Sequence, residues 1–265
     1  MNTVAPWIFL RGLVRESRHW GAFVGEFVAE FERTGQSVQV VTLDLAGNGL
    51  RHTERSPHTV GAMVEDCRAQ LRARGLSGPY KLLAVSMGAM VAAEWSRIYP
   101  NEVLRQVLIN TSMRPFSSFY QRLRPENYGR IVWLLRARAP AQRWEQAILC
   151  MTANRPHPEV LTDWTQLRET CPVSITNTLL QLWAALRYRA SATSPHPATL
   201  VLGSPCDRLV SVACSMALAQ VWGVPLGLHP DAGHDMTLDA GPWVAHAVRH
   251  WCDTTADPLR HSTAM

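Results

Sequence analysis

The segment YKLLAVSMGAMVAAEW, residues 80–95, decides the fold. Its first six residues are mostly apolar and predict a buried strand over 80–85. Residues 87–99 have a helix-forming composition with Pro100 directly behind them, so a helix is predicted there. Ser86 lies where the strand turns into the helix, close to the small residues Ala84 and Gly88. Small neighbours permit a sharp, strained turn that exposes the serine hydroxyl.

Outward from this segment, strand and helix patterns alternate in both directions. Further strands are predicted at 7–10, 38–45, 103–110, 199–202 and 225–229, and further helices at 18–33, 59–74, 212–221 and 242–251. This alternation predicts an α/β fold with a mostly parallel central sheet flanked by helices. Ligands bind such sheets at the carboxyl ends of the strands.

The alternation is interrupted after the strand at 103–110. Residues 112–197 are rich in arginine and tryptophan, helical in pattern and broken by prolines, which predicts an inserted helical cap. The core then comprises 1–111 and 198–253, and 254–265 is predicted to be a flexible C-terminal tail. The cap tryptophans are expected to be core or pocket residues, and they are Trp133, Trp144, Trp164 and Trp183.

Three chemically reactive side chains each follow a predicted strand. Ser86 follows the strand at 80–85, Asp207 comes after the strand at 199–202, and His234 after 225–229. A serine hydroxyl is a weak nucleophile until a base takes its proton, and a histidine oriented by a carboxylate can act as that base. Because the ends of parallel strands meet at one edge, catalytic roles are predicted for these three residues together.

Four motifs, in order along the chain, resemble the α/β-hydrolase superfamily over essentially its whole length. They are LRGL at 10–13, AVSMG at 84–88, LVLGSPCDRLVS at 200–211 and PDAGHDMTLD at 230–239. Ala84 stands where glycine is commoner in the family, and Arg11 where histidine is usual. The resemblance implies an α/β-hydrolase fold, a Ser-His-Asp triad and an oxyanion hole formed by the backbone N–H groups of Leu13 and Met87.

The same resemblance places Arg11, Leu13 and Met87 in the substrate pocket. A buried arginine near a pocket must be paired with a carboxylate or a bound anion. Arg11 could therefore bind a carboxylate of the substrate. The alternative, which we favour from the sequence, is that it points away from the site and pairs with a nearby acid such as Glu16 or Asp44.

The net charge of +5 is concentrated in the cap. Residues 112–195 contain 11 arginines against 5 acidic residues. Charge runs of this kind are usually a solvated helix face, but they also suit docking of an acidic partner such as a carrier protein. The candidate docking residues are Arg122, Arg124, Arg130, Arg136, Arg138 and Arg143.

Other classes of function are less favoured by the sequence. The 6 cysteines form no CxxC pair, and no metal-ligand spacing or phosphate-binding glycine loop is present, so neither a metal nor a cofactor is expected. The basic surface carries no recognised nucleic-acid module. No apolar run approaches the roughly 18 residues of a membrane span, and no signal peptide is evident. We expect a cytoplasmic monomer or homodimer without nucleic-acid or membrane partners.

The nucleophile type restricts the reaction within the superfamily. Serine at position 86 argues against the haloalkane dehalogenase and epoxide hydrolase branches, which carry aspartate there. The chain is similar to small capped carboxylesterases, including pimeloyl-acyl-carrier-protein methyl ester esterase of biotin synthesis, which implies hydrolysis of a small acyl ester. A thioesterase, a lactonase, a cofactor-free haloperoxidase or perhydrolase, and a hydrolase-like ligand-binding protein with little turnover are the alternatives.

Overall fold

The computed structural model describes residues 5–255 of the chain, except 138 and 156. Six strands form one sheet in the order β2-β1-β3-β4-β5-β6, and every neighbouring pair is parallel. The strands are β1 (Trp7–Leu10), β2 (Val40–Leu43), β3 (Tyr80–Val85), β4 (Val103–Ile109), β5 (Thr199–Gly203) and β6 (Leu226–Leu228). The predicted α/β-hydrolase fold with a parallel central sheet is confirmed.

Helices cover both faces of the sheet. In chain order they are α1 (Phe23–Glu32), α2 (Val60–Ala73), α3 (Met87–Ile98), α4 (Phe119–Arg122), α5 (Tyr128–Ala137), α6 (Ala141–Thr152), α7 (Pro158–Thr170), α8 (Ile175–Arg187), α9 (Val212–Trp222), α10 (Met236–Asp239) and α11 (Gly241–Thr254). Because side chains alternate along a strand, β1 sends Trp7 and Phe9 to the side of α1 and α11. Ile8 and Leu10 pack on the opposite side with α2, α3 and α9.

The predicted core elements are present with small shifts at their ends. The largest difference is the predicted helix at 18–33, which begins as a 3-10 turn at Ser17–Trp20 and continues as α1 only from Phe23. Gly21 separates the two parts with a φ of 52°, a left-handed conformation that a right-handed helix cannot include. The strand predicted at 38–45 shortens to β2, where only four residues pair with β1.

The cap consists of α4 to α8, inserted between β4 and β5. It has a small core of its own, in which Leu134, Ile148, Met151 and Trp164 pack together with Val14 from the loop after β1. The boundaries 1–111, 112–197 and 198–253 stay predictions. The predicted tail, 254–265, lies outside the described residues from 256 onward.

Within the part of the chain that the structure describes, no helix combines the length and apolar composition needed to cross a bilayer.

The start of α3 lies directly under the end of β1. A Cβ atom built on Gly88 would stand 2.4 Å from the carbonyl oxygen of Leu10 and 2.6 Å from that of Arg11. Both are backbone atoms of a buried strand end and cannot move aside cheaply. Glycine is therefore required at position 88 for the strand and the helix to approach this closely.

We expect Gly88→Ala to lower the free energy of unfolding by about 1–3 kcal/mol, because the added methyl group overpacks this contact. Gly25→Ala in α1 is the matched control, since no described atom lies within 4 Å of its added Cβ. That change should raise the free energy of unfolding by about 0.5–1 kcal/mol. Urea denaturation of both variants tests the difference, and equal stabilities would contradict it.

Candidate active site

Ser86 occupies a strained turn between β3 and α3. Its φ of 56° and ψ of −117° lie outside the regions that residues other than glycine usually adopt. The turn is fixed from both sides, because the Ser86 N–H donates to the Ile109 carbonyl at 2.9 Å and the Thr111 hydroxyl donates to the Ser86 carbonyl at 2.9 Å. A strained strand-to-helix turn of this kind exposes the serine hydroxyl, which is typical of nucleophilic serines.

His234 and Asp207 form a buried pair at the same edge of the sheet. Asp207 Oδ2 lies 2.7 Å from His234 Nδ1, and the two side chains are 2% and 6% exposed. The other carboxylate oxygen accepts hydrogen bonds from the backbone N–H groups of Leu209 at 2.7 Å and Val210 at 2.8 Å. An ionised carboxylate can only accept, so Nδ1 carries the proton and Nε2 is left as an acceptor.

Asn110, at the end of β4, fixes the loop that carries His234. Its side-chain amide donates to the carbonyl of Gly233 at 3.1 Å and to that of His234 at 2.9 Å. The sequence interpretation treated Asn110 only as a strand residue. Its φ of 44° explains the residue type, because asparagine tolerates the left-handed conformation better than most side chains.

Asp239 connects the His234 loop to the cap. Its carboxylate accepts hydrogen bonds from the Gly233 N–H at 2.7 Å and from the Asn154 N–H at 2.8 Å, in the segment after α6. The Asp235 N–H donates to the Thr152 carbonyl at 2.8 Å across the same contact. The loop that carries His234 and one side of the cap are therefore a single hydrogen-bonded unit, which the sequence analysis did not predict.

The predicted oxyanion-hole residues lie beside Ser86. Met87 is the first residue of α3, so its N–H has no carbonyl partner within the helix. Gly12, just before Leu13, approaches Ser86 so closely that an added Cβ would stand 3.1 Å from the serine Cβ. Leu13 and Met87 both line the cavity that Ser86 faces. Their oxyanion role stays a prediction, which this placement allows.

A cavity of about 230 Å³ joins these residues. Ser86 and His234 stand at its polar side, and the cap covers them with apolar side chains. The apolar walls include Leu13, Met87, Met90, Ile131, Leu134, Trp144, Ile148, Leu182 and Leu209. A mostly apolar pocket with a few convergent polar groups is typical of a small-molecule site.

Arg11 lines this cavity, but its partner differs from the one expected. The guanidinium contacts both carboxylate oxygens of Asp235, at 2.5 and 3.1 Å, and donates to the Thr237 hydroxyl at 3.1 Å. Burial alone would raise the pKa of Asp235, yet the charge and hydrogen bonds of Arg11 outweigh burial and lower it. The partner is an acid, as expected, but it is neither Glu16 nor Asp44, because the His234 loop brings Asp235 to Arg11. The expectation that Arg11 points away from the site is also wrong, since it lines the cavity.

The candidate docking arginines do not share one environment. Arg122 donates to the carbonyls of Ala185 at 2.6 Å and Leu186 at 3.4 Å, so it caps the end of α8. Arg124 pairs with Glu126 at 3.3 Å. The exposed members are Arg130, Arg136 and Arg143. Arg138 lies outside the described residues.

A buried charged cluster joins the loop after β1 to the cap. Arg15 pairs with Glu145 at 2.7 Å, and Arg168 reaches the same carboxylate at 3.3 Å. The Arg15 guanidinium also lies 4.2 Å from the centre of the Trp164 ring and beside His19, at 2.8 Å from its Nε2. Burial, reinforced by the charges of Arg15 and Arg11, holds the pKa of His19 well below 6.5.

Because the pKa of His19 is lowered in the folded state, acid should destabilise the protein through this residue. Below about pH 6.5 the unfolded chain takes up a proton that the folded chain refuses, so the free energy of unfolding falls by up to about 1.4 kcal/mol per pH unit. Above that pH both states are neutral at His19, and its contribution is constant.

We therefore expect His19→Gln to flatten the fall in stability between about pH 6.5 and pH 5, measured by urea denaturation. Burial also lowers the pKa of His196. Because wild type and variant both contain His196, its contribution to the pH dependence of stability cancels when the two curves are compared. Parallel stability curves for wild type and variant would show that His19 does not contribute.

The part of the chain that is described contains no group of three or more His, Cys, Asp or Glu side chains arranged to hold a metal ion. Ser86 and His234 both line the mostly apolar cavity together with other polar residues, and Asp207 contacts His234 without lining the cavity itself.

Comparisons with solved structures place this fold among known proteins. An esterase from Thermogutta terrifontis, solved with malate bound, is 25% identical with a TM-score of 0.73 over 95% of this chain and 90% of its own. BpoC from Mycobacterium tuberculosis H37Rv, which carries a provisional assignment as a non-heme bromoperoxidase, is 22% identical with a TM-score of 0.74 over 96% and 94%. The enol-lactonase from Burkholderia xenovorans LB400 is 17% identical with a TM-score of 0.73 over 95% and 92%.

Of the two sequence comparisons, the family model identifies a match. A search of curated protein sequences finds no match to the chain. The family model described as "Alpha/beta hydrolase family" matches residues 7–247. The match begins at the first residue of β1 and ends within α11, so it includes every strand of the sheet. The chain belongs to the alpha/beta hydrolase family.

Proposed function

We propose that the protein hydrolyses a carboxylic ester through an acyl-enzyme intermediate, with Ser86 as nucleophile, His234 as general base and Asp207 as the residue that orients the histidine. The observation that carries the proposal is the buried 2.7 Å contact between His234 and Asp207 beside a strained serine in an apolar cavity. A histidine held by an ionised carboxylate is suited to take the serine proton.

In the proposed reaction, His234 Nε2 accepts the proton of Ser86 as the hydroxyl oxygen attacks the acyl carbon. The N–H groups of Leu13 and Met87 stabilise the oxyanion, and the protonated histidine gives its proton to the departing alcohol. Water activated by His234 then attacks the acyl-enzyme and releases the acid. Asp207, held by two backbone N–H groups, stabilises the imidazolium without taking its proton.

The cavity favours an acyl group of medium length. A cavity of about 230 Å³ exceeds the roughly 150 Å³ that holds a benzene molecule, and its walls are mostly apolar. Arg11 is neutralised by Asp235, so the structure gives no support to a substrate carboxylate bound at this residue. Ester hydrolysis by this chain is also consistent with its similarity to a solved esterase, at 25% identity.

Thioesters and lactones are substrates of the same chemistry, because each presents an acyl carbon to Ser86. The enol-lactonase among the similar structures makes lactones a reasonable second substrate class. A methyl ester linked to an acyl carrier protein, as in biotin synthesis, would also need docking of the carrier. Arg122 and Arg124 are already engaged within the chain, which weakens that more specific alternative.

The test is hydrolysis of p-nitrophenyl esters, two to twelve carbons long, together with fluorophosphonate labelling. We expect wild type to be labelled at Ser86 and to prefer acyl chains of about four to eight carbons, as the cavity size suggests. Ser86→Ala should lose both labelling and at least about 10⁴-fold in kcat.

Ser112→Ala is the matched control for labelling, because Ser112 lines the same cavity and is not the proposed nucleophile. A wild-type protein that binds acyl ligands without turnover or labelling would favour a ligand-binding role instead. Parallel assays with acyl thioesters and lactones of the same chain length identify the preferred leaving group.

Asn110→Ala tests whether the position of His234 limits the reaction. Loss of the two hydrogen bonds to the His234 loop should lower kcat about tenfold to hundredfold with little change in KM, because Asn110 does not line the cavity. Gln106→Ala is the control, since Gln106 is equally buried in β4 and donates to the Thr199 hydroxyl at 2.8 Å, outside the loops that carry Asp207 and His234. Equal kcat losses in both variants would assign the effect to general destabilisation.

A further inference from the structure

The cap exposes large apolar side chains, two of which also line the cavity. The face of α8 presents Ile175, Leu179, Trp183 and Leu186, at spacings of four, four and three residues, and α4 and α5 add Phe119 and Trp133. Phe119 is 71% exposed and Trp183 is 50% exposed. We call these six residues the cap surface. The sequence expectation that the cap tryptophans are core or pocket residues is wrong for Trp133 and Trp183.

The cap surface is continuous with the cavity. Phe119 and Leu186 are partly exposed and also line the cavity wall, so they stand where its interior meets the outside. Residues of both α5 and α8 line the same cavity. A molecule held against the cap surface would therefore lie at the entrance that leads to Ser86.

The charge on these helices has one sign. None of α4, α5 and α8 contains aspartate or glutamate, and all three carry arginine. Arg130, Arg136 and Arg187 are exposed, and the Arg187 guanidinium lies 5.2 Å from the centre of the Trp183 ring. Exposed apolar and aromatic side chains combined with cations suit an anionic lipid layer, which offers negative headgroups above an apolar interior.

Other occupants fit the cap surface less well. In a symmetric dimer the same patch meets itself, so the arginines of one copy would face those of the other without acidic partners from these helices. An acidic carrier protein would satisfy the arginines but has no need of six apolar side chains. Contiguous apolar patches are unusual on monomers and mark interaction sites.

We propose that the cap surface binds an anionic lipid layer, so that an ester within the layer enters the cavity past Phe119 and Leu186. Binding to the layer is independent of Ser86 chemistry, whereas entry of an ester rests on the proposed function. This departs from the sequence expectation of no membrane partner, which considered spanning segments and could not see exposed side chains on the folded cap.

The experiment is co-sedimentation of the full chain with vesicles of phosphatidylcholine alone and of phosphatidylcholine with an equal amount of phosphatidylglycerol. We expect binding to the mixed vesicles, weakened by salt, with little binding to phosphatidylcholine alone. Brominated lipids in the mixed vesicles should quench tryptophan fluorescence, because Trp133 and Trp183 would enter the layer.

The double variant Trp133→Ser/Trp183→Ser should lower the partition coefficient at least about tenfold. Val221→Ser/Leu228→Ser is the matched control, since these residues are 47% and 43% exposed but belong to α9 and β6. It should bind as wild type does. Arg130→Gln/Arg187→Gln changes only exposed charges and should weaken binding to the mixed vesicles alone, which keeps the test valid if the tryptophan variant does not fold.

Several outcomes would overturn the proposal. The proposal fails if wild type does not bind mixed vesicles, or if the cap variants and the control variant bind equally well. It also fails if wild type forms a dimer that shields Trp183, or if it binds an acidic acyl carrier protein but not vesicles. Hydrolysis of a water-soluble ester is measured in parallel. If the protein hydrolyses the soluble ester but does not bind vesicles, only the lipid proposal is refuted. If it binds vesicles but is not labelled at Ser86, only the proposed function is refuted.

Discussion

The close approach of α3 to β1 is the constraint on which the active-site edge depends. Gly88 leaves room for the carbonyl groups of Leu10 and Arg11, and this brings the helix start against the loop after β1. Ser86 must then adopt a positive φ to connect β3 to α3. The same approach sets Gly12 against the serine and so places Leu13 beside it. One missing side chain thus determines where both Ser86 and the loop that carries Leu13 lie.

Much of this arrangement follows from local sequence. The strand-turn-helix pattern around Ser86 predicts β3 and α3 almost to the residue, because a continuous apolar run followed by helix formers leaves few alternatives. Asp207 and His234 are brought together because parallel strands end at one edge. The family resemblance adds the roles of Leu13 and Met87, which composition and periodicity do not contain.

The features of the site that the sequence could not predict depend on contacts between segments that are distant along the chain. Arg11 pairs with Asp235, 224 positions away, and no local pattern distinguishes that acid from Glu16 or Asp44. The sequence indicates only that Asn110 ends a strand, whereas the structure shows that its side-chain amide donates to the His234 carbonyl. Likewise, Trp164 is buried whereas Trp183 is exposed, although Trp164 lies in the more polar of the two helices, so their burial is decided by how the cap packs.

The bond network around Asp239 gives the cap a property that matters for protein engineering. Cap segments are attractive units for exchange between related proteins, since the cap is inserted between two neighbouring strands of the sheet. Here, however, Asp239 accepts hydrogen bonds from Asn154 of the cap and from Gly233 beside His234, and the Thr152 carbonyl accepts one from Asp235. A chimera joined only at the ends of β4 and β5 would separate these partners, so a transplanted cap must bring a compatible segment after α6 or carry the His234 loop with it.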